Sequence, residues 1–235
     1  RSLMPRLMPL GSLLMVGLGA ACTRHGPPPE KQAITPSAAA PPKEETPDSA
    51  VAAVAAPDAA PPAPLRHGPY KVVLHIGDST VGYMGGLEKA LEKRFKAEGT
   101  KRFVFEAVTS ASVANFDESK QFRGLLAQYK PDLVILTLGA NDVFLPRPDV
   151  LAPNVTKIAK RASVVDCVWI GPPTWKKDTG IVDVIRDHSA PCRFFDSSLL
   201  TLKRRSDGIH PTDEGGETWA ALFWPFFKGE PVTAP

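Results

Sequence analysis

Cysteine is scarce in this 235-residue chain: there are three, Cys22, Cys167 and Cys192, and none is spaced as a CxxC pair. The five histidines lack metal-ligand spacing, and no glycine-rich phosphate loop occurs, so neither a metal nor a nucleotide is expected as cofactor. No apolar run is long enough to span a bilayer comfortably. No stretch combines clustered Lys or Arg with interleaved aromatics, and the formal net charge is only +3, which removes nucleic acid from the expected partners. Internal repeats are missing as well. Phe, Trp and Tyr are absent from His25 to Leu65, where 11 of the chain's 25 prolines fall. Rich in proline and alanine and without an aromatic residue, this stretch cannot build a core. Residues 23–66 therefore read as an extended, disordered linker, long enough to reach on the order of 100 Å at about 3 Å per residue.

What stands before the linker reads as an export signal. Arg1 and Arg6 precede the apolar run LMPLGSLLMVGLGAA, which has the length of a signal-peptide core. Gly19, Ala20 and Ala21 then lead into Cys22, so residues 1–22 resemble a bacterial lipobox, whose cysteine is lipidated after cleavage. Such a site usually carries leucine where Gly19 stands, and Leu18 is one place away. An ordinary signal peptide with a coincidental cysteine is the alternative. The expectation is an exported protein, held to a membrane through lipid on Cys22 and facing the periplasm or cell surface.

From residue 67 to 230 the pattern becomes that of one globular domain. Apolar, β-branched runs at Lys71–Ile76, Arg102–Val108, Asp132–Leu138, Val164–Ile170 and Cys192–Asp196 read as strands. Helical spacing fills the intervals, at Gly82–Ala97, Glu118–Tyr129, Val150–Ala162, Asp178–His188 and Asp213–Phe227. Strands alternating with helices imply right-handed crossovers and a parallel sheet covered on both faces. The expected fold is a three-layer α/β/α sandwich with five parallel strands in the flavodoxin-like order 2-1-3-4-5. In that architecture ligands sit beyond the carboxyl ends of the strands.

Four short segments converge on that edge. The first strand ends at Gly77-Asp78-Ser79, the second runs into Thr109-Ser110-Ala111-Ser112, the third ends at Gly139-Ala140-Asn141-Asp142, and Asp207-Gly208-Ile209-His210 precedes the last helix. A serine hydroxyl becomes a useful nucleophile only when a base takes its proton, and histidine is the usual base near neutral pH. His210 suits that role, and Asp207 can fix its tautomer, so Ser79, His210 and Asp207 are the candidate triad. The Ser79 N–H, an N–H in the turn after strand two and the Asn141 amide are candidate oxyanion donors. Asp78 is expected to organise the turn beside Ser79. Ordinary turns and helix caps would account for each segment alone, but not for their meeting at one edge.

GDS near the start of the domain, GAND after the third strand and DGIH near its end resemble the SGNH hydrolases, also called the GDSL esterase/lipase superfamily, over roughly Lys71 to Lys228. The resemblance implies that Ser79 is the nucleophile, that Asp207 and His210 complete the triad, and that Asn141 and a residue of the second segment are oxyanion donors. That residue is Ala111, where the family normally has glycine. Alanine serves if its φ is negative, whereas a positive φ would cost about 1 kcal/mol or more.

Substrate signals are fewer. The loop GPPTWKK after strand four borders the same edge, where Trp175 offers a stacking face for a sugar or is a half-exposed tryptophan in a rigid Pro-Pro turn. The surroundings of Ser79 and His210 look closer to bacterial cell-envelope members acting on O-acetylated carbohydrate than to lipases. The expected activity is hydrolysis of short acyl esters of envelope glycans through an acyl-enzyme. The alternatives are an O-acyltransferase with the same triad and a carbohydrate-binding lipoprotein with a degenerate site. Cys167 and Cys192 fall on neighbouring strands, as a disulfide or as two buried thiols.

Overall fold

The computed structural model describes residues 69–82 and 86–230; the signal, Cys22 and linker readings lie outside them. Five strands, β1 (Val72–Gly77), β2 (Arg102–Ala107), β3 (Leu133–Thr137), β4 (Asp166–Ile170) and β5 (Arg193–Phe195), form one parallel sheet in the order β2-β1-β3-β4-β5. This is the α/β architecture and strand order expected from the alternating pattern. β3, LVILT, is buried along its whole length, as a central parallel strand covered on both faces must be.

Alternation along the strands sorts the core into two layers. Leu74, Ile76, Val134, Leu136 and Trp169 face α2 (Val113–Glu118), α3 (Gln121–Tyr129), α4 (Ala152–Ala162) and α5 (Ile181–His188). Val73, Leu133, Ile135, Val168 and Ile170 face α1 (Leu87–Ala97) and α6 (Asp213–Lys228), where Phe95, Trp219 and Phe223 are buried. Full burial of each of these large side chains is worth roughly 1.5–3 kcal/mol relative to exposure.

Several boundaries differ from the sequence expectation; α5, for one, starts at Ile181 rather than Asp178. α1 begins at Leu87 rather than near Gly82, with Gly86 at its N-cap in the left-handed region (φ 70) and so close to α6 that a Cβ would lie 2.8 Å from the Asp213 Cα. The helix expected over Glu118–Tyr129 is α3, starting at Gln121, and a separate short helix that was not expected, α2, precedes it. Ser112 caps α2 through reciprocal bonds with Asn115, and extended Ser119 ends it before α3 starts. The helical run of the third crossover, between β3 and β4, opens with a 3-10 turn, Pro148–Leu151, before α4.

The two domain cysteines, left open as disulfide or thiols, are joined. β4 and β5 pair Val168 with Arg193, which sets Cys167 opposite Cys192 at a Cα separation of 4.8 Å, within the range a disulfide bridges.

Candidate active site

The site is built where β1 and β3 end side by side. A Cβ on Gly77 would lie 2.2 Å from the Thr137 carbonyl oxygen, so only glycine lets the two strands turn together there. Asp78 N–H then donates to Thr137 O (3.0 Å), and the Asp78 carboxylate closes the turn: Oδ1 accepts from Thr80 N–H (2.9 Å) and Thr80 Oγ1 (2.7 Å). Oδ2 accepts from Ala140 N–H at 3.2 Å, which ties the first segment to the third. Burial pushes Asp78 above the usual carboxylate range, with the Thr80 and Ala140 hydrogen bonds opposing it. Asp78 is thus spent on the turn, and Ser79 beside it is partly exposed.

Ser79 Oγ lies 3.0 Å from His210 Nε2, and His210 Nδ1 lies 2.8 Å from Asp207 Oδ2. With Nδ1–H donating to the carboxylate, Nε2 is the acceptor for the serine hydroxyl. Asp207 Oδ1 also accepts from the backbone N–H groups of Ile209 (2.8 Å) and His210 (3.0 Å). The His210 side-chain hydrogen bond foremost, then the backbone bonds from Ile209 and His210, hold the Asp207 carboxyl down at about 2. Asp207 is therefore ionised throughout the range in which the imidazole works.

What delivers this loop to Ser79 is the start of α6. Arg205 N–H donates to His210 O (2.8 Å), Arg204 and Pro211 form an antiparallel bridge, and Thr212 caps α6 by accepting from Gly215 N–H. A Cβ on Gly215 would lie 2.2 Å from Lys203 O, and one on Gly216 2.4 Å from Gly86 C. Two glycines in its first turn let α6 press against both neighbours, and the loop is carried to the sheet edge.

The second and third segments interlock. Asn141 Nδ2 donates to Ala111 O (2.9 Å), and Asp142 Oδ2 accepts from Val113 N–H (3.0 Å) at the start of α2. Asp142 is buried, and loss of solvent, helped by the nearby Asp78 charge, lifts it to about 6 despite the Val113 hydrogen bond. Ala111 has an ordinary negative φ; the positive value falls on Ser110 (φ 57). The Ala111 N–H donates to Val108 O at 3.1 Å, closing the turn rather than facing Ser79. Among the described residues no acceptor engages the Ser79 N–H, and the Asn141 amide keeps a second N–H beyond its bond to Ala111.

Trp175 is anchored beside this centre by Nε1–H donation to Ala140 O (3.0 Å). Phe144, 54% exposed, meets it edge-on at 6.3 Å, and Lys176 Nζ stands 5.4 Å from the Trp175 ring and 5.7 Å from that of Phe144. Phe144 and Arg204 were not found by sequence reasoning. Phe144 lies close after GAND, which is the signal that could have found it; Arg204 bonds only to backbone carbonyls, one in its own loop and two in the loop after β4, and leaves no motif. Among the described residues, no group of three or more His, Cys, Asp or Glu is placed to hold a metal ion, and no helix is long and apolar enough to cross a membrane.

All four segments lie within residues 75–217, which match the GDSL-like lipase/acylhydrolase family. That is more than half of the chain, and the chain belongs to this family, as an enzyme of the ester hydrolase class. Similar solved structures include TesA, with 22% identity, a TM-score of 0.53, and coverage of 67% of this chain and 98% of that one. The acetyl xylan esterase AlAXEase has 15% identity and a TM-score of 0.54, covering 66% and 98%. A variant of Axe2, an acetyl xylan esterase from Geobacillus stearothermophilus, has 18% identity and a TM-score of 0.51, covering 71% and 99%. At these identities the likeness is one of fold. No curated protein sequence matches the chain.

Proposed function

We propose that Ser79, His210 and Asp207 are the catalytic triad of a carboxylic-ester hydrolase working through an acyl-enzyme. The observation that carries this is the single imidazole bridging the Ser79 hydroxyl at 3.0 Å and the Asp207 carboxylate at 2.8 Å. Ser79 Oγ attacks the ester carbonyl as its proton passes to His210 Nε2, and Asp207 stabilises the imidazolium. The imidazolium returns the proton to the leaving alkoxide, which departs as an alcohol. Water, deprotonated by the same nitrogen, then releases the acid and restores Ser79. The Ser79 N–H and the Asn141 amide stabilise the oxyanion; the Ala111 N–H, engaged by Val108, is the donor the geometry supports least.

The substrate class proposed is O-acetyl or other short acyl esters of envelope carbohydrate. Trp175 supports it, as an anchored aromatic face beside Asn141 suited to stacking on a sugar ring. Two of the fold relatives carry the name acetyl xylan esterase, which agrees with this reading without establishing it. The proposal extends to lipid on Cys22 and a proline-rich tether over 23–66, placing the domain outside the cytoplasm; palmitate labelling lost in Cys22→Ser tests the anchor.

Purified Ser79→Ala should lose hydrolysis of p-nitrophenyl acetate by at least roughly 10³-fold, and a retained rate would sink the mechanism. A series of p-nitrophenyl esters of rising chain length, run beside an O-acetylated glycan, tests the substrate: acetyl should be preferred. The turned-back Ala111 N–H favours one other reading, a glycan-binding module with an impaired site. Glycan binding without labelling by a serine-directed phosphonate would establish it. Acetyl transfer to an oligosaccharide in competition with water would mark an acyltransferase instead.

A further inference from the structure

Arg204 stands between the loop that carries His210 and the loop that carries Trp175. Its Nη1 donates to the carbonyl of Ile209, the residue before His210, and its Nη2 to the carbonyls of Pro173 and Thr174, the latter just before Trp175, each at 3.1 Å. The two Nη2 bonds join residues 204–210 to residues 171–177. Beyond the packing of α6 on Lys203, the tip of the loop gets little help, since Arg205, Ser206, Asp207 and Gly208 are all exposed. Its internal bonds shape it as a hairpin but do not locate it against β4.

The guanidinium is partly buried and faces three neutral acceptors, with Asp207 as the nearby anion that opposes its loss of solvent. Three carbonyls on two loops call for a planar fork with fixed donor directions, which an ammonium does not supply. We infer that Arg204 is a positioning residue: it sets the approach of His210 to Ser79 and holds the histidine loop and the Trp175 wall as one unit. The inference rests on the triad reading above. A misplacement of about 1 Å in a catalytic group can cost roughly 10²-fold in rate, so a clamp of this kind should appear in kcat.

The test compares wild type, Arg204→Met and Arg204→Lys on p-nitrophenyl acetate and on an O-acetylated xylo-oligosaccharide. Turnover is normalised to sites titrated by a phosphonate, so that misfolded protein is not counted. Per-site kcat on p-nitrophenyl acetate should fall roughly ten- to hundredfold in Arg204→Met with KM within about threefold, while KM for the glycan rises as well. Arg204→Lys should stay close to Arg204→Met, because charge without the fork does not bridge the loops. If Arg204→Met yields no titratable sites, Arg204→Lys decides in the same way. Per-site kcat within about threefold of wild type would overturn the inference. Ser79→Ala is run in parallel: if it is inactive while the Arg204 variants are normal, the positioning role fails and the triad stands; if it is active, the triad reading itself fails.

Discussion

Two carboxylates of the site differ in almost every respect. Asp207 is exposed, accepts three hydrogen bonds from within its own loop and is held at about 2. Asp142 is buried, accepts one backbone N–H from a different segment and is lifted to about 6. The first is stabilised as an anion by local geometry and serves His210. The second is tolerated as an anion because it joins α2 to the end of β3. The histidine loop is therefore a locally defined limb, whereas the strand-end segments are a buried network in which Asp78, Ala140, Asn141, Ala111, Asp142 and Val113 depend on one another.

The largest effect should come from the local limb. His210→Ala removes the base, and kcat should fall by on the order of 10⁴–10⁶, while the melting temperature moves little because the loop is exposed. Steady-state kinetics beside a thermal melt checks both halves, and a large loss of stability would erase the contrast between limb and network. Asn141→Ala should lie between the two regimes. It removes an oxyanion donor and the tie to Ala111 O, so kcat should drop roughly 10²–10³-fold, together with a measurable loss of stability.

The smallest catalytic effect, and the sharpest test of the network, is expected from Asp142→Asn. The folded-state value of Asp142, about 6, lies above its ordinary 3.8, so the folded protein binds this proton more tightly than the unfolded chain. Its contribution therefore favours folding below about 4 and is lost as pH rises through 6. Above that pH, keeping the carboxylate ionised costs on the order of 3 kcal/mol. Asn keeps an acceptor for Val113 N–H without the charge. Urea titrations should show the variant gaining on wild type by up to about 3 kcal/mol at pH 8 and losing that advantage near pH 4. An advantage independent of pH would show that Asp142 is not destabilised by its charge. For Asp207 the sign is opposite: its depressed value contributes stability present above the ordinary 3.8 and lost as pH falls toward 2.

The same contrast explains what could be read before any coordinates. Asp207 and His210 are three residues apart, and the hydrogen bonds between them form within one turn, so residue type and spacing were sufficient to suggest the pair. The five strands were legible because burial on both faces demands β-branched and apolar runs, as LVILT shows. α2 escaped notice because its only start signal is Ser112 with Asn115, a weaker form of the Ser-to-Glu capping pattern. Ala111 was placed in the right turn, but the acceptor of its N–H, Val108 O, depends on Ser110 taking a positive φ, which its sequence does not announce. Arg204 was invisible for the same kind of reason, since all its partners are backbone carbonyls, two of them about thirty residues away.

Periodicity and short spacing thus determined the parallel sheet, the edge where Ser79, Asn141 and His210 gather, and the internal Asp207–His210 pair. Only the tertiary structure decided that His210 reaches Ser79 at 3.0 Å, that Cys167 meets Cys192, and that Asp142 and Arg204 join segments distant in the chain. The physical reason is range. Propensity and hydrogen bonding within a turn act between near neighbours and leave a mark in the residues themselves. The close approach of α6 at Gly215 and Gly216, and the register of β4 on β5, exist only once the whole sheet has been packed.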